Sequence, residues 1–163
     1  MQTAEIISKE LKINPKNINI DDRINEIDYG IISGSTKGDK IDNEYMKEFN
    51  KLPKDPIKLV LAFEMFDKTI QKKFKVESAI KVKKRIQSFY SSLPSDSVSK
   101  HIIVVTHGGI VNGTINALFN INPPVKGDTS NGKNCTINCI TKTSKTSKKL
   151  YQLITLPNTL HLK

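Results

Sequence analysis

The sequence predicts an α/β domain, a parallel sheet covered by helices. Two observations carry this. Helical patterns alternate along the chain with a continuous β-branched run, Ile102-Ile103-Val104-Val105, which suits a strand buried on both faces. The chain then closes on two strand patterns, Asn134–Thr141 and Leu150–Leu156, joined by a Lys/Ser/Thr turn of hairpin character. At 163 residues there is room for one domain with its own core and too little for two.

The elements follow in order. Residues 2–12 read as a helix with Ala4, Ile7 and Leu11 on one stripe, ended by Asn14-Pro15. Ile18 to Ile27 alternates between apolar and polar residues, an extended stretch running into a turn at Tyr29-Gly30. Residues 43–52 form a second helical pattern with Tyr45, Phe49 and Leu52 together, and Pro53 and Pro56 interrupt the chain before a third at 57–73. Ser78 is a good N-cap for a basic amphipathic helix reaching Leu93, with Ile80, Val82, Ile86, Phe89, Tyr90 and Leu93 as its apolar stripe. After the loop Pro94-Ser95-Asp96 and the β-branched run, a helical pattern covers Ile110 to Phe119, and a Pro/Gly/Asn-rich loop spans 122–133.

Composition narrows the function classes. Apolar residues are 37% of the chain, a lean core, and no stretch approaches the roughly 18 apolar residues a membrane helix needs. The N-terminus lacks the basic and apolar regions of a secretory signal, so cytoplasmic residence is the expectation. The net charge of +10 could draw nucleic acid, anionic lipid or phosphorylated ligands. Only Arg23 and Arg85 are arginines, however, and paired recognition of bases or phosphates prefers arginine. A solvated lysine coat is the better reading, and nucleic acid and membrane are disfavoured as partners. Cys135 and Cys139 lie four apart, without zinc or redox spacing; on a strand both would share a face and point into the core.

The most informative segment is Ile102 to Phe119. Ligands in open α/β sheets gather at the carboxyl ends of strands, and His107 stands there, with only Thr106 between it and the β-branched run. Gly108 and Gly109 permit close backbone approach, and the free N–H groups of the following helix favour an anion. A histidine in that position can donate hydrogen bonds to a phosphate. Asn112 and Thr114 could line the same cup, although polar residues at a helix start usually face solvent.

Val104-Val105-Thr106-His107-Gly108-Gly109-Ile110-Val111 resembles the second-histidine motif of the histidine phosphatase (phosphoglycerate mutase-like) superfamily. Four further segments follow in that family's order. Asp22-Arg23-Ile24-Asn25-Glu26-Ile27-Asp28-Tyr29-Gly30 resembles its motif of a glutamate followed closely by an aromatic and a glycine. Glu77-Ser78, with Arg85 beyond, resembles its Gly-Glu-Ser helix start, although Val76 stands in place of the glycine. Asn134-Cys135-Thr136-Ile137 is similar to a late core strand, and Asn158-Thr159-Leu160-His161-Leu162 to the C-terminal ending. The N-terminal Gln2-Thr3-Ala4 is similar to the end of an Arg-x-x-Gln-Thr-Ala motif. The resemblance therefore spans nearly all of residues 1–163, read as a partial domain.

What the resemblance implies is a three-layer sandwich with a mostly parallel sheet, here lacking the family's first, central strand and the Arg-His-Gly motif with its nucleophilic histidine. Neither His101 nor His161 is followed by glycine or flanked by arginine, so neither replaces it. The implied chemistry is phosphoryl transfer through a phosphohistidine, with no metal and no cofactor. Glu26 would be the acid/base carboxylate, and His107, with the backbone from Gly108, would hold the phosphoryl oxygens. The expected partner is a phosphorylated small molecule. Glu26-Ile27-Asp28-Tyr29-Gly30 differs from the Glu-Arg-His-Tyr-Gly of glycolytic mutases, which favours a phosphatase-type relative. As it stands the chain is expected to be inactive, and an unpaired apolar sheet edge at Ile102–Val105 invites self-association. A non-catalytic phosphate-binding relic and a basic nucleic-acid binder remain as alternatives.

Overall fold

The structure is a computed structural model that describes residues 2–51, 68–94, 101–119, 137–142 and 151–158. Helix α1 spans Gln2–Glu10. It is ended by Lys12, which takes a left-handed conformation at φ 54° so that Ile13 N–H can close back on the Ser8 carbonyl at 2.9 Å. The Ser8 hydroxyl answers by donating to the Ile13 carbonyl at 2.9 Å. Asn14 does not merely stop the helix; its side chain caps a short 3-10 turn at Pro15–Asn17. Leu11, expected on the inner stripe, is 54% exposed because it lies beyond the last helical turn.

Helix α2, Lys40–Phe49, starts where Asp39 accepts from the Asp42 N–H. Its Tyr45 meets Phe49 in a stacked pair and Phe74 edge-on at 5.8 Å, which seats α2 on the helical residues 68–74. Leu52 and most of the expected helix at 57–73 lie outside the described residues.

Helix α3, Ala79–Ser92, begins as the sequence predicts: Ser78 accepts from the Lys81 N–H at 3.1 Å. Helix α4, Gly108–Phe119, packs against it. Val82 and Ile86 of α3 meet Ile110 and Ala117 of α4 in the core cluster, and Ile24, Ile27 and Tyr90 close its edges. The two helices come close because Gly113 has no side chain: a Cβ there would lie 3.0 Å from Ile86 Cδ1. Ile80, placed on the apolar stripe by periodicity, is 65% exposed; two residues before Val82, it points about 200° round the helix from the face that meets α4.

Two expectations change. Ile102–Val105 forms no strand; Ile102 and Ile103 are about half exposed (48% and 52%), and only Val104 and Val105 of the run are partly buried. β-branched residues favour a strand only when a neighbour supplies the ladder, and among the described residues none pairs with this run. Nor does a parallel sheet occur among the described residues. The sheet there is an antiparallel hairpin of β1, Ile137–Lys142, and β2, Tyr151–Asn158, with register shifts around Cys139. Its alternation turns Asn138, Ile140 and Lys142 inward, so Cys139 is exposed instead of in the core. Cys135, the 122–133 loop and the hairpin tip lie outside the described residues. Lys142 carries its ammonium to the last carbonyls of α3, donating to Ser91 and Leu93 and tying the hairpin to the helix pair.

Candidate active site

The site forms where the loop 21–30 lies across α3 and reaches the start of α4. Asp21 caps a 3-10 turn at Asp22–Ile24 by accepting from the Arg23 N–H. The Arg23 guanidinium grips the same carboxylate with Nε at 2.9 Å from Oδ1 and Nη2 at 2.6 Å from Oδ2. Its free edges then reach α3, where Nη1 donates to the Ser88 carbonyl and Nη2 to the Ser92 hydroxyl, each at 3.0 Å. The guanidinium also lies 5.6 Å from the Phe89 ring centre. These hydrogen bonds from Arg23 hold the Asp21 carboxyl below its ordinary range.

Arg85, three residues before Ser88 on α3, also takes hold of the loop. Nη1 donates to the carbonyls of Arg23 at 2.7 Å and Asn25 at 2.8 Å, and Nη2 to that of Glu26 at 3.3 Å. The Glu77 carboxylate aligns the guanidinium in a two-point pair of 2.8 and 2.9 Å. The Glu77 backbone N–H then donates to the Asp28 carbonyl at 2.7 Å. Both arginines of the chain therefore fasten one loop to one helix. Downstream, Gly30 turns the chain at φ 56°, and it must be glycine on a second ground: a Cβ would collide with the carbonyls of Phe74 and Lys75.

The second half of the site arrives through Thr106, whose hydroxyl donates to the Ile24 carbonyl at 2.6 Å. The next residue is His107. Its carbonyl accepts from Ile110 N–H at 3.1 Å and Val111 N–H at 2.9 Å as α4 begins, so the imidazole stands at the positive end of that helix. The structure brings the two sequence-predicted side chains together: His107 Nδ1 lies 3.9 Å from Glu26 Oε2. His107 is 63% exposed at its side chain and Glu26 35%, so a solute can reach both. The other Glu26 oxygen accepts from the Ile27 N–H at 2.9 Å. It passes over Gly109 so closely that a Cβ there would lie 2.5 Å away. Glycine at 109 thus makes room for the carboxylate, where sequence reasoning had reserved the space for a ligand.

Other candidates separate from the site. Thr114 is buried at 3% exposure and donates to the Ile110 carbonyl within its own helix, so it lines nothing. The Asn112 side chain and His161 lie outside the described residues, and His101 is exposed at the far end of the 101–107 segment. Burial pushes the Tyr29 phenol above its ordinary range, with the nearby Glu26 charge adding to it. A cleft of about 410 Å³ is lined by Glu26 together with Asp22, Asp28, Lys75, Glu77 and Arg85. No group of three or more His, Cys, Asp or Glu able to hold a metal occurs among the described residues. No helix there is long and apolar enough to cross a membrane.

A carboxylate and an imidazole that meet at a helix N-terminus combine a proton donor or acceptor with donors for an anion. Arg85 and Thr106 are the residues that sequence reasoning did not place in this arrangement. The helix-start motif around Glu77 was visible, but not that its arginine reaches back to the Glu26 loop. Comparisons with curated proteins and with solved structures return no match. The family model of the histidine phosphatase superfamily (branch 1) does match, over residues 1–152. It covers both halves of the Glu26–His107 pair, and the chain belongs to the histidine phosphatase superfamily, whose fold is α/β.

Proposed function

We propose that Glu26 and His107 belong to a phosphomonoester site, acting in hydrolysis or transfer through a phosphohistidine where an N-terminal segment supplies the nucleophile, with phosphatase chemistry favoured over mutase chemistry. The observation that carries this reading is the 3.9 Å approach of the Glu26 carboxylate to His107 at the start of α4. In the reaction, His107 and the backbone from Gly108 hold the phosphoryl oxygens, offsetting charge that develops in the transition state. Glu26 protonates the leaving oxygen. The nucleophile of such a mechanism is a histidine beside an arginine, and the 163-residue sequence contains no Arg-His-Gly. Nucleophile and stabilisers act as a unit, so one without the other loses many orders of magnitude in rate. The 163-residue chain by itself is therefore expected to show no turnover.

A second reading, a site that binds a phosphorylated ligand without turning it over, has an observation in its favour: both arginines hold the Glu26 loop. The reading also carries a three-layer sandwich with a mostly parallel sheet. In that arrangement the 102–105 segment gains ladder partners, and self-association supplies them if nothing else does. Incubation with a generic phosphomonoester, together with a titration of inorganic phosphate followed through the His107 imidazole protons, tests the proposal. Expected are no turnover and a phosphate-dependent displacement at His107 that Glu26→Gln preserves. Turnover abolished by His107→Ala would overturn the expected inactivity, and a His107 signal unmoved by phosphate would overturn the phosphate site.

A further inference from the structure

Glu26 has no secondary-structure element of its own to hold it. It follows a 3-10 turn and precedes a stretch without ladder bonds, so its backbone must be fixed by something else. One guanidinium does most of this. Arg85 bonds the carbonyls of Arg23, Asn25 and Glu26 itself, all upstream of the Glu26–Ile27 peptide N–H. Its partner Glu77 bonds Asp28 downstream, its backbone N–H to the Asp28 carbonyl at 2.7 Å and its Oε2 to the Asp28 N–H at 3.4 Å. The loop is thus gripped on both sides of Glu26 by one ion pair, and each member of that pair is only 17% exposed at its side chain.

The geometry also explains why the residue must be arginine. Reaching three carbonyls and two carboxylate oxygens at once needs several donors in a fixed planar fork; an ammonium has three donors on one flexible point. The clamp does not touch His107, which is carried by α4 and by the Thr106 bond to Ile24. It sets the other half of the pair only.

We infer that Arg85, aligned by Glu77, is a positioning residue that aims the Glu26 carboxylate at His107. The inference rests on the reading of Glu26 and His107 as one site. Arg85 itself faces backbone and Glu77, and acts on any bound ligand only through Glu26.

The test uses the full chain and reads the imidazole proton resonances of His107, assigned against His107→Asn. In the wild-type chain, Glu26→Gln is expected to displace these resonances, because it removes a charge 3.9 Å from Nδ1. In an Arg85→Lys background the same Glu26→Gln change is expected to displace them no further, because the carboxylate is no longer held there. Arg85→Lys keeps the charge and much of the volume, so a role in packing or net charge alone would leave the displacement at its full size. That result overturns the inference, as does a wild-type His107 signal indifferent to Glu26→Gln. Should Arg85→Lys lose its cooperative unfolding transition, Glu77→Gln, which keeps the side-chain shape and one acceptor, serves in the same cycle with the same outcomes. A phosphate titration of the wild type separates the two ideas: silence at His107 sinks the phosphate site, while the Arg85 cycle still reports on the positioning.

Discussion

Gly109→Ala separates the site from the fold. The new Cβ would lie 2.5 Å from Glu26 Oε1, and real Cβ contacts stay beyond 3.0 Å, so the oxygen must retreat by at least the 0.5 Å difference. The obstacle is the far end of a side chain and not backbone, so Glu26 rotates while α4 stays in place. Rotation gives up the 2.9 Å bond from the Ile27 N–H, worth about 0.5–1.5 kcal/mol net. Replacing glycine by alanine in a helix returns up to about 1 kcal/mol. The two nearly cancel, and the remaining 3.2 Å contact with Ile27 Cδ1 needs only a small adjustment. Stability is therefore expected to change by less than about 1 kcal/mol, while the carboxylate leaves the side of His107. Urea unfolding measures the first quantity, and nuclear Overhauser contacts between the Glu26 γ-protons and the His107 ring protons measure the second. A loss of more than about 3 kcal/mol would mean that backbone had moved, and unchanged contacts would mean that Glu26 does not occupy the space over Gly109; either refutes the reasoning.

The core and the loop give three more expectations. Ile86 is fully buried at 0% exposure beneath Gly113, so Ile86→Ala should cost about 2–5 kcal/mol in chemical unfolding, with the low end favoured if α3 and α4 close the cavity. Thr106→Val is nearly isosteric but strands the Ile24 carbonyl, for a loss of about 1–2 kcal/mol and a weakened His107–Glu26 contact by the same nuclear Overhauser measurement. Asp21 has a carboxyl held below its ordinary value of 3.8 by the Arg23 hydrogen bonds. Its contribution to stability is therefore present above that value and lost as pH falls through the depressed folded one. The stability gap between wild type and Asp21→Asn should be constant near neutral pH and shrink in acid below the ordinary value, and a gap that widens there would refute the assignment.

Several parts of this arrangement were legible in the residues. Ser78 followed by the stripe Val82, Ile86 and Phe89 announced α3, because a cap and a helical period are local properties. The hairpin of β1 and β2 was legible for the same reason, although its inward face was not: Cys139 is exposed where the reading had it buried. Ile102–Val105 shows the limit most clearly. Its composition asks for a strand, but a strand is a relation between two segments, and propensity cannot supply the second one. Burial failed at Leu11, which lies past the end of α1, and at Ile80, which is two residues from Val82 and so off the covered face of α3.

By itself, then, the sequence determined the Ser78 start of α3, the hairpin, the family, and the identity of Glu26 and His107 as candidates, all of which follow from short-range pattern and motif; α2 and α4 begin earlier than their apolar patterns, at Lys40 and Gly108. Only the tertiary structure decided how the two meet. Eighty-one positions separate Glu26 from His107, and they are joined by Thr106 reaching the Ile24 carbonyl and by Arg85 and Arg23 fastening the intervening loop to α3. Each of these bonds runs from a side chain to a distant backbone carbonyl, a partner that every residue type can offer and no motif records. The scarcity of arginine, which from composition argued against nucleic acid and membrane, became structural because both guanidinium groups tie the same loop to α3.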